Sequence, residues 1–218
     1  MAKIISMEEA VQLIRSDSSL MTSGFLGVGA ANQIIDRLSQ SDVKGLTLIV
    51  NDTAKEGLGV GKLVGNHQVK KVIASHIGLY PEVGRQMNAG ETEVELVPQG
   101  TLAERIRCGG SGLGGFYTPT GVGTEVANGK ETRVIDGREY VFEKALRADV
   151  ALIRGTLVDE SGNVFYNATT RNFNPIVAMA ADVVICQAQK LVKTGEIDPH
   201  LVMTPGILVD YIVVEEAK

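Results

Sequence analysis

Ser23-Gly24-Phe25-Leu26-Gly27-Val28-Gly29-Ala30-Ala31-Asn32 lies between a short apolar run, Leu20 to Thr22, and a helically periodic segment, Gln33 to Leu38. Glycines in such a strand-to-helix turn let the backbone approach a phosphate whose charge faces the helix N-terminus. Within this stretch Gly27-Val28-Gly29-Ala30-Ala31-Asn32 nearly spells a dinucleotide fingerprint. Asp52 closes the next strand about where a ribose-binding acid would stand. Asn32 occupies the place of the third glycine. Dinucleotide binding, another phosphate-bearing ligand and a plain structural turn all fit this pattern.

Pro98-Gln99-Gly100 directly follows a strand-like run, Glu93 to Val97. In open α/β sheets ligands bind at such strand ends. Gln99 offers an uncharged amide donor, suited to a developing oxyanion beside a base that must not be neutralised. The bland counterpart is a glutamine that satisfies its own turn. A third stretch, Gly109-Gly110-Ser111-Gly112-Leu113-Gly114-Gly115-Phe116 and on to Gly123, concentrates glycines at an entropic cost. Bare backbone approaching a ligand or a partner chain explains that cost better than a passive linker. Gly112 and Gly114 are the candidate contacts there.

No side chain declares itself a nucleophile. His67, His76 and His200 are far apart and stand beside no nucleophile motif. Asp159-Glu160 reads as solvated turn charge, and Glu104 with Arg107, three apart, as an ordinary helix pair. Cys108 and Cys186 are the only cysteines, at no metal-ligand spacing, so neither a disulfide framework nor a metal site is expected.

The elements that must position these segments follow from pattern. Ser6-Met7-Glu8-Glu9 opens a helix with a capping box. Leu20–Thr22, Leu46–Val50, Lys71–Ala74 and Val94–Val97 read as strands, and Gln33–Leu38, Lys62–Val64, Glu82–Ala89 and Thr101–Arg107 as helices. Strands alternating with helices predict an open, mostly parallel sheet with helices on both faces. Gly109 to Gly123 shows no periodicity and reads as a long functional loop. In the C-terminal half, Thr132 to Phe142 predicts a β-hairpin turning at Asp136-Gly137. Val150 to Tyr166 reads as a second hairpin turning near Ser161-Gly162, Pro175 to Ala181 as a helix start and Val183–Cys186 as a buried strand.

No linker or repeat interrupts the chain, so a single domain over residues 1–218 is expected. With 44% hydrophobic and 22% charged residues, the composition excludes disordered and fibrous classes. A formal net charge of −5 with scattered basic residues argues against nucleic acid. No stretch approaches the roughly 20 apolar residues of a membrane span, and the segment from Met1 to Ser6 is too short in its apolar part for a signal peptide. The cytoplasm is the expected location.

Ser23 to Asn32, Asn51-Asp52-Thr53-Ala54, Val72 to Gly78, Val97 to Gly123 and Arg171-Asn172-Phe173-Asn174-Pro175 together resemble the A (alpha) subunit of the 3-oxoacid CoA-transferase family, nearly end to end. The resemblance implies an open α/β domain that pairs with a B subunit and doubles into an α2β2 assembly. It implies a ping-pong reaction in which a glutamate of the B subunit attacks the acyl-CoA thioester. Coenzyme A is then an acyl-carrier substrate, and no cofactor is bound. By the same resemblance Gln99 stands at the acyl oxyanion, Ser23, Gly24, Phe25, Leu26, Gly27, Val28 and Gly29 at CoA, and Asn51 near the reacting acyl group. Asn51-Asp52 resembles members handling acetate, acetoacetate and butyrate, where 3-oxoadipate or succinate members tend to carry a second asparagine. Ser23 and Ala31 depart from the family's usual Gly and Pro. Leu79-Tyr80 replace small polar residues, which implies a less polar acyl preference.

Overall fold

Strands that are apolar on both sides need cover on both faces. The computed structural model, which describes residues 2–216, shows how that cover is supplied; Met1, at the head of the N-terminal segment, lies outside it. In chain order the first half comprises β1 (Lys3–Ile4), α1 (Met7–Gln12), β2 (Ser19–Thr22), α2 (Asn32–Leu38), β3 (Leu46–Asp52), α3 (Val60–Gly65), β4 (Val69–His76), α4 (Pro81–Asn88), β5 (Glu93–Leu96) and α5 (Gln99–Gly110). The second half comprises β6 (Gly115–Thr118), β7 (Thr132–Ile135), β8 (Arg138–Lys144), β9 (Ala148–Gly155), β10 (Leu157–Asp159), β11 (Val164–Phe165), α6 (Asn174–Val177), β12 (Ala181–Ala188), β13 (Leu191–Val192) and β14 (Tyr211–Val214).

Eight strands form one sheet in the order β1-β14-β12-β9-β2-β3-β4-β5, and every neighbouring pair is parallel. Successive residues divide between the faces, as strand geometry requires. Leu20, Leu48, Val50, Val72 and Leu152 pack under α1 to α4, while Met21, Ile49, Ile73, Ala151 and Ile153 pack under α5 and α6. Two small sheets, β6-β8-β7 and β11-β10-β13, are attached to this frame.

The N-terminal helix is stopped from fraying by its predicted cap. Ser6 Oγ accepts from Glu9 N at 3.1 Å, and Glu9 Oε2 accepts from Ser6 N at 2.8 Å. Because α1 has only six residues, Ser6→Ala is expected to lower Tm by roughly 2 to 4 °C in a melting experiment.

Four expectations are corrected. Val150 to Tyr166 is not one hairpin: β9 is a central parallel strand between β2 and β12, and only β10 and β11 form the antiparallel pair. The continuous apolar run Val150 to Ile153 of β9 serves two buried faces, which turn spacing alone does not reveal. The stretch from Gly109 to Gly123 is partly regular. Gly109 and Gly110 end α5, where a Cβ would lie 1.9 Å from the Leu146 carbonyl oxygen or 2.4 Å from the Met179 Cβ, and Gly115 begins β6. Those two glycines thus serve internal packing. Asp159 is buried rather than solvated, and it accepts from Ser161 N, Asn163 N and Asn163 Nδ2 to close the β10–β11 turn. The helix predicted over Pro175 to Ala181 is shorter, Asn174–Val177, because Ala181 already pairs with Ala148 in the sheet.

Candidate functional site

From β2 the chain moves outward through β3, β4 and β5, whereas β9, β12 and β14 continue on the other side. The connections leaving β2 and β9 therefore diverge and open a crevice at the C-terminal edge of the sheet. A cleft of about 490 Å³ lies there, lined by Phe25, Leu26, Val28, Asn51, Gln99, Thr169 and Asn172. No carboxylate or thiol is among the described residues lining it.

The wall after β2 is a tight two-residue turn. Phe25 and Val28 exchange backbone hydrogen bonds of 3.1 and 3.0 Å, with Leu26 at φ 49° and Gly27 at φ 78°, the positive values of a type I′ turn. Leucine resists that conformation, and two neighbours hold it. Asp52 Oδ2 accepts from Leu26 N at 3.1 Å, and Asn32 Nδ2 donates to Gly27 O at 2.8 Å. Asp52 Oδ1 also accepts from Ala54 N at 2.6 Å. This buried carboxylate is spent on backbone, so the ribose role considered for it is overturned.

The dinucleotide pattern fails at its phosphate site as well. α2 begins at Asn32 with no side-chain cap, but Gln33 N and Ile34 N both donate to Gln187 Oε1, at 3.0 and 3.1 Å. A buried glutamine from β12 thus fills the helix N-terminus that a pyrophosphate would need.

At the base of the cleft three elements meet. Asn51, the penultimate residue of β3, is 2% exposed; its Oδ1 accepts from Ser75 Oγ of β4 at 2.8 Å and from Gln99 Nε2 at 3.1 Å. Gln99 is the first residue of α5 rather than a free turn residue. The N-terminal end of that helix dipole, favourable to negative charge, lies at the cleft with it. With Asn51 Oδ1 taken by two donors, the second Nε2–H of Gln99 and the Asn51 Nδ2 remain; Nδ2 bonds to none of the described residues. Two neutral amide groups with donors to spare thus line the cleft, a chemistry suited to a developing oxyanion.

The expected site residues divide by place. Phe25, Leu26, Val28, Asn51 and Gln99 line the cleft. Ser23, Gly24 and Gly27 line a small cavity behind the turn. Gly29 packs where a Cβ would lie 2.6 Å from Thr170 O. Gly112 and Gly114 follow the far end of α5, a helix length of about 18 Å from Gln99, and are not brought to this cleft. Leu79 and Tyr80 line a separate depression beside Gly65, so they do not contact an acyl group bound here. Thr169, Ser75 and Asn172 join these residues only in the folded structure. The signal available for Asn172 was an asparagine among turn-forming residues, a type that tolerates positive φ.

The thiols are no reserve of nucleophiles, since burial pushes Cys108 up and Cys186 up to about 12. On the surface His67, Glu82 and Glu91 converge, yet Arg85 donates to both carboxylates at 2.7 to 2.9 Å and holds Glu82 down to about 2. That cluster already holds its own cation, Arg85, between the two carboxylates. No helix among the described residues is long and apolar enough to cross a membrane.

Neutral amide donors in a cleft at the switch point of a parallel sheet suit acyl transfer. A family model described as coenzyme A transferase matches residues 4–215. The chain is 49% identical over 214 residues to the acetate CoA-transferase subunit alpha of Escherichia coli K12, covering 98% of this chain and 97% of that one. It is 50% identical over 216 residues to the acetoacetyl-CoA:acetate/butyrate CoA transferase alpha subunit of Clostridium acetobutylicum, covering 99% of each. A solved acyl-CoA transferase from E. coli O157:H7, in its thioester complex with CoA, superposes with a TM-score of 0.83 at 24% identity; the match covers 98% of this chain and 47% of that longer one. Glutaconate coenzyme A-transferase from Acidaminococcus fermentans gives 0.84 at 18% identity over 98% and 75% of the two chains. At those identities the two structures establish the fold. This chain belongs to the coenzyme A transferase family. Its chemistry is CoA transfer, and the nicotinamide alternative is set aside.

Proposed function

We propose that this chain is the alpha subunit of a short-chain acyl CoA-transferase, exchanging CoA between acetyl-CoA or butyryl-CoA and acids such as acetoacetate. The observation that carries this is the Asn51–Gln99 amide pair at the base of a cleft lined by neutral side chains. A partner B subunit, in an α2β2 assembly, supplies the glutamate nucleophile. The alpha-subunit names of the relatives at 49% and 50% identity support the pairing and the acid class.

The chemistry follows from charge. The partner's glutamate oxygen bonds to the thioester carbonyl carbon, and the carbonyl electrons move onto oxygen, where Gln99 and Asn51 donate. Collapse expels the CoA thiolate and leaves an acyl-glutamyl anhydride. The thiolate then attacks the glutamyl carbonyl, releasing the first acid and leaving a glutamyl-CoA thioester. A second carboxylate reverses the sequence and departs as the new acyl-CoA. Uncharged donors are required, because a cation here would neutralise the attacking carboxylate and blunt its nucleophilicity. Phe25, Leu26 and Val28 offer apolar contact for the acyl or carrier chain.

The test is reconstitution. Purified alone, the chain is expected to show no exchange between acetyl-CoA and acetoacetate, and turnover should appear on addition of the B subunit. Hydroxylamine or borohydride trapping with peptide mapping should find the adduct on the partner. Turnover by the isolated chain, or modification of an Asp or Glu within it, would overturn the proposal.

A further inference from the structure

The turn after β11 is bracketed by two non-glycine residues with left-handed φ, Ala168 at 48° and Asn172 at 38°. Asn172 combines that φ with ψ −133°, a region that side chains avoid. Strain of this kind persists only where the surroundings over-determine it, and it clusters at ligand sites. The surroundings here do so. Asn174, fully buried, donates from Nδ2 to Gly29 O and Thr170 O, both at 2.9 Å, and accepts from Arg154 N at 3.1 Å. Gly29 lets the two loops touch.

The Asn172 side chain is oriented as firmly as its backbone. Its Oδ1 accepts from Phe173 N at 2.8 Å and from Ser23 Oγ at 3.4 Å. That leaves Nδ2 as the free end of a cleft-lining amide, bonded to none of the described residues. Asn51 and Gln99 belong to the β3–β5 side of the switch point, and Asn172 follows β9 on the other side. A carboxylate spanning the cleft has two oxygens to satisfy. The Gln99 and Asn51 amides serve one, and nothing on their side of the switch point is assigned to the second.

We infer that Asn172 binds substrate, donating from Nδ2 to a carboxylate oxygen of the short-chain acid. This rests on the CoA-transfer reading of the cleft. The donor orients the acid so that one oxygen stays at the Asn51–Gln99 amides, and it does so without a counter-charge. Because the contact is made to the bound carboxylate before any bond changes, its loss belongs in KM rather than kcat.

Three variants of the complex with its B subunit test the inference. Asn172→Asp keeps the acceptor for Phe173 N and Ser23 Oγ, removes the donor and adds a like charge. It should raise KM for the carboxylate roughly 10- to 100-fold, the effect of losing a hydrogen bond to a charged group, with KM for acyl-CoA within about threefold. Asn172→Gly and Asn172→Ala should raise the carboxylate KM equally, although the alanine variant, still strained, melts below the glycine one. A carboxylate KM within about threefold of wild type in Asn172→Asp and Asn172→Gly would overturn the inference. So would activity that merely follows Tm across the three. A wild-type complex that transfers no CoA would instead remove the underlying functional reading, and this inference with it.

Discussion

Gln99→Ala is expected to lower kcat of the assembled enzyme by about 10² to 10³, the loss typical of one oxyanion donor. The oxyanion exists only along the path between thioester and anhydride, so the Gln99 hydrogen bond strengthens there and adds little to ground-state binding. KM for CoA substrates should therefore change far less than kcat. The structure also limits the damage elsewhere. Gln99 is the first residue of α5, its backbone is set by the helix, and its side chain makes one internal bond, to Asn51 Oδ1 at 3.1 Å. Melting temperature should stay close to wild type. Gln99→Glu should be at least as damaging, because a carboxylate would repel both the oxyanion and the incoming glutamate. It would also place a second acceptor against Asn51 Oδ1. Steady-state kinetics and melting on the same preparations decide the matter; Gln99→Ala within about threefold of wild-type kcat would remove Gln99 from the chemistry.

The second large effect concerns what holds α5, and so Gln99, in place. Arg105, in mid-helix and 8% exposed, donates to Glu95 Oε1 of β5 at 2.7 Å and to Lys144 O of β8 at 2.9 Å, with Glu143 Oε2 at 3.8 Å. Glu143 is 1% exposed and also takes Lys130 Nζ at 2.6 Å. One guanidinium thus joins the edge of the main sheet, the long helix and the β6-β8-β7 sheet. Arg105→Leu strands Glu143 in the interior with Lys130 alone and leaves Glu95 with Lys71 at 3.7 Å. Breaking a buried pair from one side costs about 3 to 5 kcal/mol, which for a chain of this size lowers Tm by roughly 6 to 20 °C.

The pH dependence supplies a second check. Burial pushes Glu95 up, but Arg105 outweighs it and holds the carboxyl below its ordinary value. A depressed carboxylate stabilises the fold above its unfolded pKa, near 4.3, and that contribution is lost as pH falls through the folded value. Without Arg105, burial favours the protonated form, and Glu95 then opposes folding at neutral pH. The Tm gap between wild type and Arg105→Leu should be widest near pH 7 and narrow below about pH 4. A gap under about 2 °C at pH 7 would show that the network contributes little to stability.

Much of this was legible in short-range sequence because the physics is short-range. The Ser6–Glu9 spacing set a capping box, and Asp136-Gly137, found at φ 49° and 77°, set a two-residue hairpin. Apolar runs between helical patterns implied a parallel sheet covered on both faces. The role expected of Asn51 came only from resemblance to a family, whereas Gln99 was already marked by its place after a strand and its uncharged amide. What tertiary structure decided was every feature whose partner lies far along the chain. β9 became a central strand because Leu20 pairs with Val150 and Leu152 with Ile185, contacts that no local turn signal encodes. The glycine turn near residue 27 resembled a phosphate loop until Asp52 fixed its Leu26 amide and Gln187, more than 150 residues on, filled the helix N-terminus behind it. Asn172 gained a free amide and a strained backbone only through Asn174, Gly29 and Ser23. Local sequence fixes which conformations are cheap, whereas burial and hydrogen bonding summed over distant segments choose among them.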